Sequence, residues 1–199
     1  HWLSHFQFSP DDPDIAMFCH EGPWNYVQQR IWMINMKTGD IWPCFRQTED
    51  DCVGHEFWAQ NGDVIFDNRR GGHDGTISNS KSQVYGSENV STEMPYFGFA
   101  HKDGKVYRKI DMPFYCNHYF ANGALSMFVG DAVEDILLIQ SAEDGTAKMK
   151  VLANHNTTWH YQRSHCHPTF SWDGKKLLYA ADTDEWHDNL FLVDVPESI

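Results

Sequence analysis

A chain of 199 residues that is 41% apolar can bury a sizeable core. Its formal net charge of -13 argues against nonspecific nucleic-acid binding, which needs a basic surface that releases counterions. No apolar run approaches a membrane span and no charged-then-apolar leader precedes the first strand, while the opening on His1 rather than methionine reads as a cut N-terminus.

The elements follow a repeated pattern. His5-Phe6-Gln7-Phe8 leads into the apolar stretch Ile15–Cys19. His55-Glu56-Phe57-Trp58 leads through Asn61-Gly62 into Val64-Ile65-Phe66. His118-Tyr119-Phe120 leads through Asn122-Gly123 into Leu125–Val129, and His167-Pro168-Thr169-Phe170 through Asp173-Gly174 into Lys176–Ala180. Each copy is a histidine, an aromatic residue, a tight turn and a short apolar strand. The histidines lie 50, 63 and 49 residues apart, which is the spacing of propeller blades.

A second strand is predicted inside three copies, at Arg30–Asn35, Ile136–Ile139 and Asn189–Asp194, with outer strands at Ile41–Phe45 and Lys148–Leu152. No segment keeps helical periodicity over three turns. The expected fold is all-β, a β-propeller with about four four-stranded blades, roughly 5–54, 55–117, 118–166 and 167–199, in a single region 1–199. Residues 67–100 break the rhythm and read as a long loop in the second blade.

Inner propeller strands line a central channel, so His5, His55, His118 and His167, equivalent in successive blades, are expected at one end of it. Gln162-Arg163-Ser164-His165-Cys166-His167 adds two imidazoles on one side of an extended strand, a pattern suited to a metal. The competing reading is a set of repeat histidines that cap blades by hydrogen bonds. An anionic ligand in so acidic a chain must meet a local cation or arginine. Arg69 and Arg70 offer one, although a solvated loop is the plainer account of them. Trp24, Trp58 and Trp172 suit sheet packing more than sugar stacking. The five cysteines are odd in number and follow no disulfide framework, which suits reduced thiols in a cytoplasmic protein.

Several phrases carry a family resemblance in order along the chain: Met17 to Trp24, Arg30-Ile31-Trp32, His55 to Trp58, Val129-Gly130-Asp131, the hexapeptide Gln162 to His167, and Asp194 to Ser198. Together they resemble the oligogalacturonate lyases, polysaccharide lyase family 22, which are seven-bladed propellers about twice this length. The resemblance implies that the N-terminal blades are missing, so that an N-terminal half or a homo-oligomer completes the ring.

It also implies a cytoplasmic lyase that cleaves an oligogalacturonide substrate by β-elimination, with neither nucleic acid nor membrane as partner. Mn2+ is the implied cofactor, held by His118, Gln162, His165 and His167. His55 is the implied base and Arg30 the implied catalytic arginine, with His20, Glu21, Arg69 and Arg70 as substrate-contact candidates. Cys166 stands where the family pattern has proline, and a thiolate beside two imidazoles also suits Zn2+. Duller roles stand beside these. Arg30 suits a structural ion pair with Glu21 or Glu56, His20 and Glu21 suit a turn, and the whole chain suits a non-catalytic binding or scaffold propeller with structural histidines.

Overall fold

A computed structural model describes residues 1–22, 26–69, 95–112, 116–142, 144, 146–159, 164–184 and 187–199. Those residues are all-β, of the β-propeller class, in four antiparallel meander sheets. The first sheet has the order β1 (Trp2–Phe8), β2 (Ile15–Glu21), β3 (Ile31–Asn35), β4 (Ile41–Pro43). The second is β5 (Val53–Trp58), β6 (Val64–Asn68), β7 (Tyr96–Ala100), β8 (Val106–Asp111). The third is β9 (Tyr119–Ala121), β10 (Met127–Asp131), β11 (Asp135–Ser141), β12 (Ala147–Asn154). The fourth has three strands among the described residues, β13 (Thr169–Phe170), β14 (Lys176–Asp184) and β15 (His187–Asp194).

The chain divides into two compact units. Among the described residues, the first holds β1 to β7 and β8 as far as Lys109, and the second begins at Ile110. In the first, two sheets pack through Met17, Ile31 and Met33 against Val64, Phe66 and Tyr96. Phe45 stacks on Phe66 with centroids 4.3 Å apart. In the second, Val129 and Ile136 meet Leu177, Tyr179 and Ala181 around Trp159 and Cys166.

Strand position follows composition. The central strands β6 and β7 are buried along their whole length, and the outer strand β8 alternates exposed side chains with half-buried or buried ones at the period of two that a pleated strand imposes. The turn Asn61-Gly62 behaves as its dipeptide predicts, because Gly62 adopts φ 82°, a conformation that costs glycine nothing.

The expected 67–100 loop is corrected at both ends. Asp67 and Asn68 finish β6, and Tyr96–Ala100 is the central strand β7, paired with β6 from Asn68↔Tyr96 to Val64↔Ala100. A buried strand of aromatics with a central glycine lacks the alternation by which half-exposed strands are read. Gly98 is needed there, since a Cβ would stand 2.5 Å from the Phe66 ring. Residues 70–94, Arg70 among them, lie outside the described residues.

Trp58 packs against the first core, and its indole N–H donates to the Gln7 carbonyl at 3.2 Å. Trp172, expected in sheet packing, is instead 99% exposed, on the turn between β13 and β14. Trp24 lies outside the described residues. All five cysteines are free and buried. No helix among the described residues is long and apolar enough to cross a membrane.

Candidate functional site

The repeat histidines are placed by backbone irregularities. Between Ser4 and Gln7, β1 advances three residues while β2 advances two, and between Val53 and Glu56, β5 does the same against β6. Each is a β-bulge, which frees one residue from the ladder and re-aims its side chain. His5 and His55 sit in these bulges, with rings nearly parallel and centroids 6.5 Å apart. His5 has φ 49°, a left-handed conformation uncommon for a residue with a β-carbon.

A carboxylate stands at or within two residues of the end of the second strand of each sheet: Glu21, Asp67, Asp131 and, in β14, Asp182. In two sheets it clamps the histidine. Asp67 Oδ1 accepts the backbone N–H of Gly54 at 2.5 Å and of His55 at 2.8 Å, and its Oδ2 faces His55 Nδ1 at 3.5 Å. Asp131 Oδ1 accepts the His118 N–H at 2.6 Å, and its Oδ2 accepts Nδ1–H of the same ring at 2.7 Å. Burial opposes ionisation of Asp67, yet His55 and Arg69 hold its carboxyl below the usual carboxylate range. At His118 the carboxylate on Nδ1 fixes the tautomer and leaves Nε2 as the ligating nitrogen, while at His55 the longer 3.5 Å approach of Asp67 is an electrostatic one.

The clamp at His55 requires a glycine beside it. A Cβ on Gly54 would stand 2.7 and 2.9 Å from the two Asp67 oxygens and 2.9 Å from Arg69 Nη2. Gly54→Ala is therefore expected to displace Asp67 and destabilise the chain by about 1–3 kcal/mol. Urea unfolding of the variant measures this, and an unchanged midpoint contradicts the clamp.

Arg30 is enclosed by the carboxylates that flank it. Its Nε donates to Glu56 Oε2 at 3.0 Å, and its Nη2 reaches Glu21 Oε1 at 3.5 Å. Glu56, whose side chain is 0% exposed, also accepts from His5 Nδ1 at 3.0 Å. Glu21 is held by the Ser4 hydroxyl. Burial opposes the charge on Glu56, but His5 and Arg30 keep its carboxyl below the ordinary range. Both structural pairings expected of Arg30 are present, within one network.

Arg69 is corrected from the sequence expectation. It is buried beside Asp67 and Gly54 and does not lie on a solvated loop. His20 meets His1, Nε2 to Nδ1, at 3.0 Å, and with Glu21 and Arg30 it lines an open cleft that Trp2 and Val27 border.

In the second unit, one nitrogen each from His118, His165 and His167 lies within 4.8 Å of the others. His118 and His167 approach to 3.7 Å between centroids. His167 holds φ 42°, a strained conformation of the kind retained at functional sites. His118 is buried, its Nδ1 on Asp131 and the Asn117 amide 3.1 Å from its Nε2. Three imidazoles with one fixed by a buried carboxylate fit a first-row divalent cation. Gln162, the fourth expected ligand, lies outside the described residues. Cys166 adds no thiolate, since it packs into the core with Tyr179, and burial pushes its thiol pKa up.

His5, Cys19 and Glu56 also bring ligand atoms within 4.8 Å. There the carboxylate already carries the Arg30 guanidinium and the His5 ring, so that cluster reads as a saturated buried charge network. The residues that sequence reasoning missed are Asp67 and Asp131. Their signal was present in the apolar strands that end in an acid, Val64-Ile65-Phe66-Asp67 and Phe128-Val129-Gly130-Asp131.

The chain is similar to known proteins along its whole length. The Pectate_lyase22 family model, described as oligogalacturonate lyase, matches residues 1–199. The oligogalacturonate lyase of Dickeya dadantii (strain 3937) is 27% identical over 218 residues, covering 100% of this chain and 51% of that protein. The oligogalacturonide lyase of Pectobacterium atrosepticum is 26% identical, with the same coverage. The chain thus spans about half the length of the curated relatives it matches. A solved oligogalacturonate lyase in complex with manganese superposes with TM-score 0.75 at 24% identity, over 99% of this chain and 49% of that one. The oligogalacturonate lyase of Vibrio parahaemolyticus superposes with TM-score 0.77 at 24% identity, over 98% and 50%. Both structural likenesses speak to the fold.

Proposed function

Because the chain belongs to the oligogalacturonate lyase family, we propose that it takes part in cleaving short oligogalacturonates by β-elimination, with a divalent cation, manganese, as cofactor. The observation that carries this reading is the convergence of His118, His165 and His167, with His118 locked by buried Asp131.

Those three imidazoles, together with Gln162, would hold the cation. When bound, it supplies positive charge to a uronate carboxylate and makes the adjacent C5 proton more acidic. In this reading His55 is the base. With Asp67 facing Nδ1, Nε2 is the nitrogen that accepts the C5 proton, and Asp67 stabilises the imidazolium that results. Arg30 is held in place by Glu56 and Glu21 and lines the cleft with His20 and Glu21, where it binds the anionic sugar. Arg69 acts through Asp67, while Arg70 stays a substrate-contact candidate.

The apolar side chains exposed on β1 (Trp2, Leu3, Phe6 and Phe8), and separately Leu190 and Leu192 of β15, fit faces that an N-terminal half of the protein covers. Five buried free thiols suit a reducing, cytoplasmic setting.

The complete polypeptide, loaded with manganese, is expected to convert oligogalacturonate into a product that absorbs in the ultraviolet through its new C4=C5 bond. Absence of that product sinks the reading. His55→Ala is expected to lower kcat by about 10²–10⁴. A binding-module alternative draws on the enclosure of Arg30 by two carboxylates. It is favoured if oligogalacturonate binds tightly, no unsaturated product forms and His55→Ala changes nothing.

A further inference from the structure

We propose that His5 is the proton donor of the elimination, a cationic imidazole that protonates the departing C4 oxygen while His55 removes the C5 proton. The inference rests on the lyase reading above and assigns a residue that reading leaves without a task.

The geometry singles out His5 in several independent ways. It occupies a β-bulge at a position matching that of His55, in a left-handed conformation that a purely structural strand residue has no reason to retain. Its side chain is 45% exposed although its Nδ1 is tied to a fully enclosed carboxylate, Glu56. The ring is therefore anchored at one nitrogen and open to solvent elsewhere. Its Nε2 stands 3.9 Å from Glu21 Oε1, too far for a hydrogen bond, at the side of the network where Glu21, Arg30 and His20 border the cleft. A proton on Nε2 thus has room for an acceptor from a substrate.

The charges around His5 favour the cation. Glu56 and His55 face it from β5, Glu21 and Cys19 from β2, and Arg30 from the segment before β3. The hydrogen bond that His5 donates to Glu56 raises the His5 pKa, burial and Arg30 work against it, and the net direction is upward. With Glu56 and Glu21 ionised, a charged Arg30 and a charged His5 make this network neutral overall. Two imidazoles in different electrostatic settings are the arrangement by which one protein runs acid and base chemistry together.

The step balances. The C5–H electron pair becomes the second bond of C4=C5, and the proton goes to His55 Nε2. The C4–O bond breaks, its electrons stay on oxygen, and that oxygen takes the proton from His5 Nε2. His5 ends neutral and His55 ends cationic beside Asp67, and exchange with water restores both. C5 and the C4 oxygen are close neighbours in the sugar. With a reach of about 3 Å from each ring, imidazoles whose centroids are 6.5 Å apart can address both at once.

The experiment compares two substrates in the complete, manganese-loaded polypeptide. One is an oligogalacturonate, whose leaving group is a sugar alkoxide. The other is a galacturonate with a nitrophenyl ether at C4, whose leaving group needs no proton. His5→Gln is expected to reduce kcat on the first by about 100-fold or more and on the second by less than about tenfold. The alkaline limb of kcat/KM, where a proton donor with a raised pKa is lost as pH rises, is expected to vanish in the variant. His55→Ala is expected to lose both substrates. Near-parental turnover of the aryl ether by His5→Gln shows that the variant is folded. Equal losses on the two substrates, or an alkaline limb that persists in His5→Gln, overturn the assignment while the parent still makes unsaturated product. If the parent makes that product from neither substrate, the lyase reading itself fails and the His5 role falls with it.

Discussion

Glu56→Ala is expected to lower the free energy of unfolding by about 3–5 kcal/mol. The carboxylate is fully enclosed, and only 11% of the Arg30 side chain is exposed, so its removal leaves a guanidinium in a low-dielectric site with the longer 3.5 Å contacts to Glu21 and His5. His5 loses its anchor in the same step. Exchanging both partners together is a different matter. Glu56→Leu with Arg30→Met removes the charges along with their desolvation cost and is expected to recover much of the loss. Urea unfolding of the single and double variants makes the comparison, and a single-variant loss below about 1 kcal/mol contradicts the network.

The same network sets the pH dependence. The carboxyls of Glu56 and Asp67 are held below their ordinary range, so the stability they contribute is present above that range and is lost as pH falls through their lowered folded values. His5 runs the other way. Its pKa is raised, so its contribution is complete below the ordinary histidine value and is lost as pH rises through the raised one. Maximal stability is expected between these two limits. Glu56→Gln is expected to flatten both slopes, because it removes an acid-side carboxylate and the partner that holds the His5 proton.

The second large effect concerns the three-histidine cluster. His118→Ala is expected to abolish manganese binding to this chain, and Asp131→Asn to weaken it by about 10–100-fold. The smaller effect follows from what Asp131 does. It accepts the Nδ1 proton and the backbone N–H of His118, so it fixes the tautomer and the ring plane. Asparagine still accepts at one position and removes the charge that strengthens the imidazole as a ligand. Calorimetric titration with Mn2+ reads both variants without any need for turnover. Asp67→Asn serves as the comparison, since it alters the matching clamp at His55 in the other unit. Equal affinities for the parent and Asp131→Asn contradict the assignment.

How legible was this molecule before folding? The repeat was visible because propeller blades each need an inner strand, a tight turn and a buried neighbour, and Asn61-Gly62 and Asp173-Gly174 mark those turns in the sequence. Strand β7 was hidden because it is buried on both faces and so lacks alternation. Arg69 was misjudged for a related reason. Its neighbours in sequence are polar, yet Asp67, Asn68 and Arg69 are all buried.

The sequence by itself determined the strand periodicity, the histidine spacing and the phrases that tie the chain to its family, all of which are local or repeated properties. Tertiary structure alone decided which carboxylate meets which imidazole. His5 and Glu56 are 51 residues apart and bond at 3.0 Å, while His118 meets both His165 and His167 from another sheet. It also separated Cys166 from its flanking histidines, because the core took the thiol while both imidazoles converge on His118. Charge pairing and ligand convergence depend on distances across strands, and those distances exist only once the bulges and registers are set.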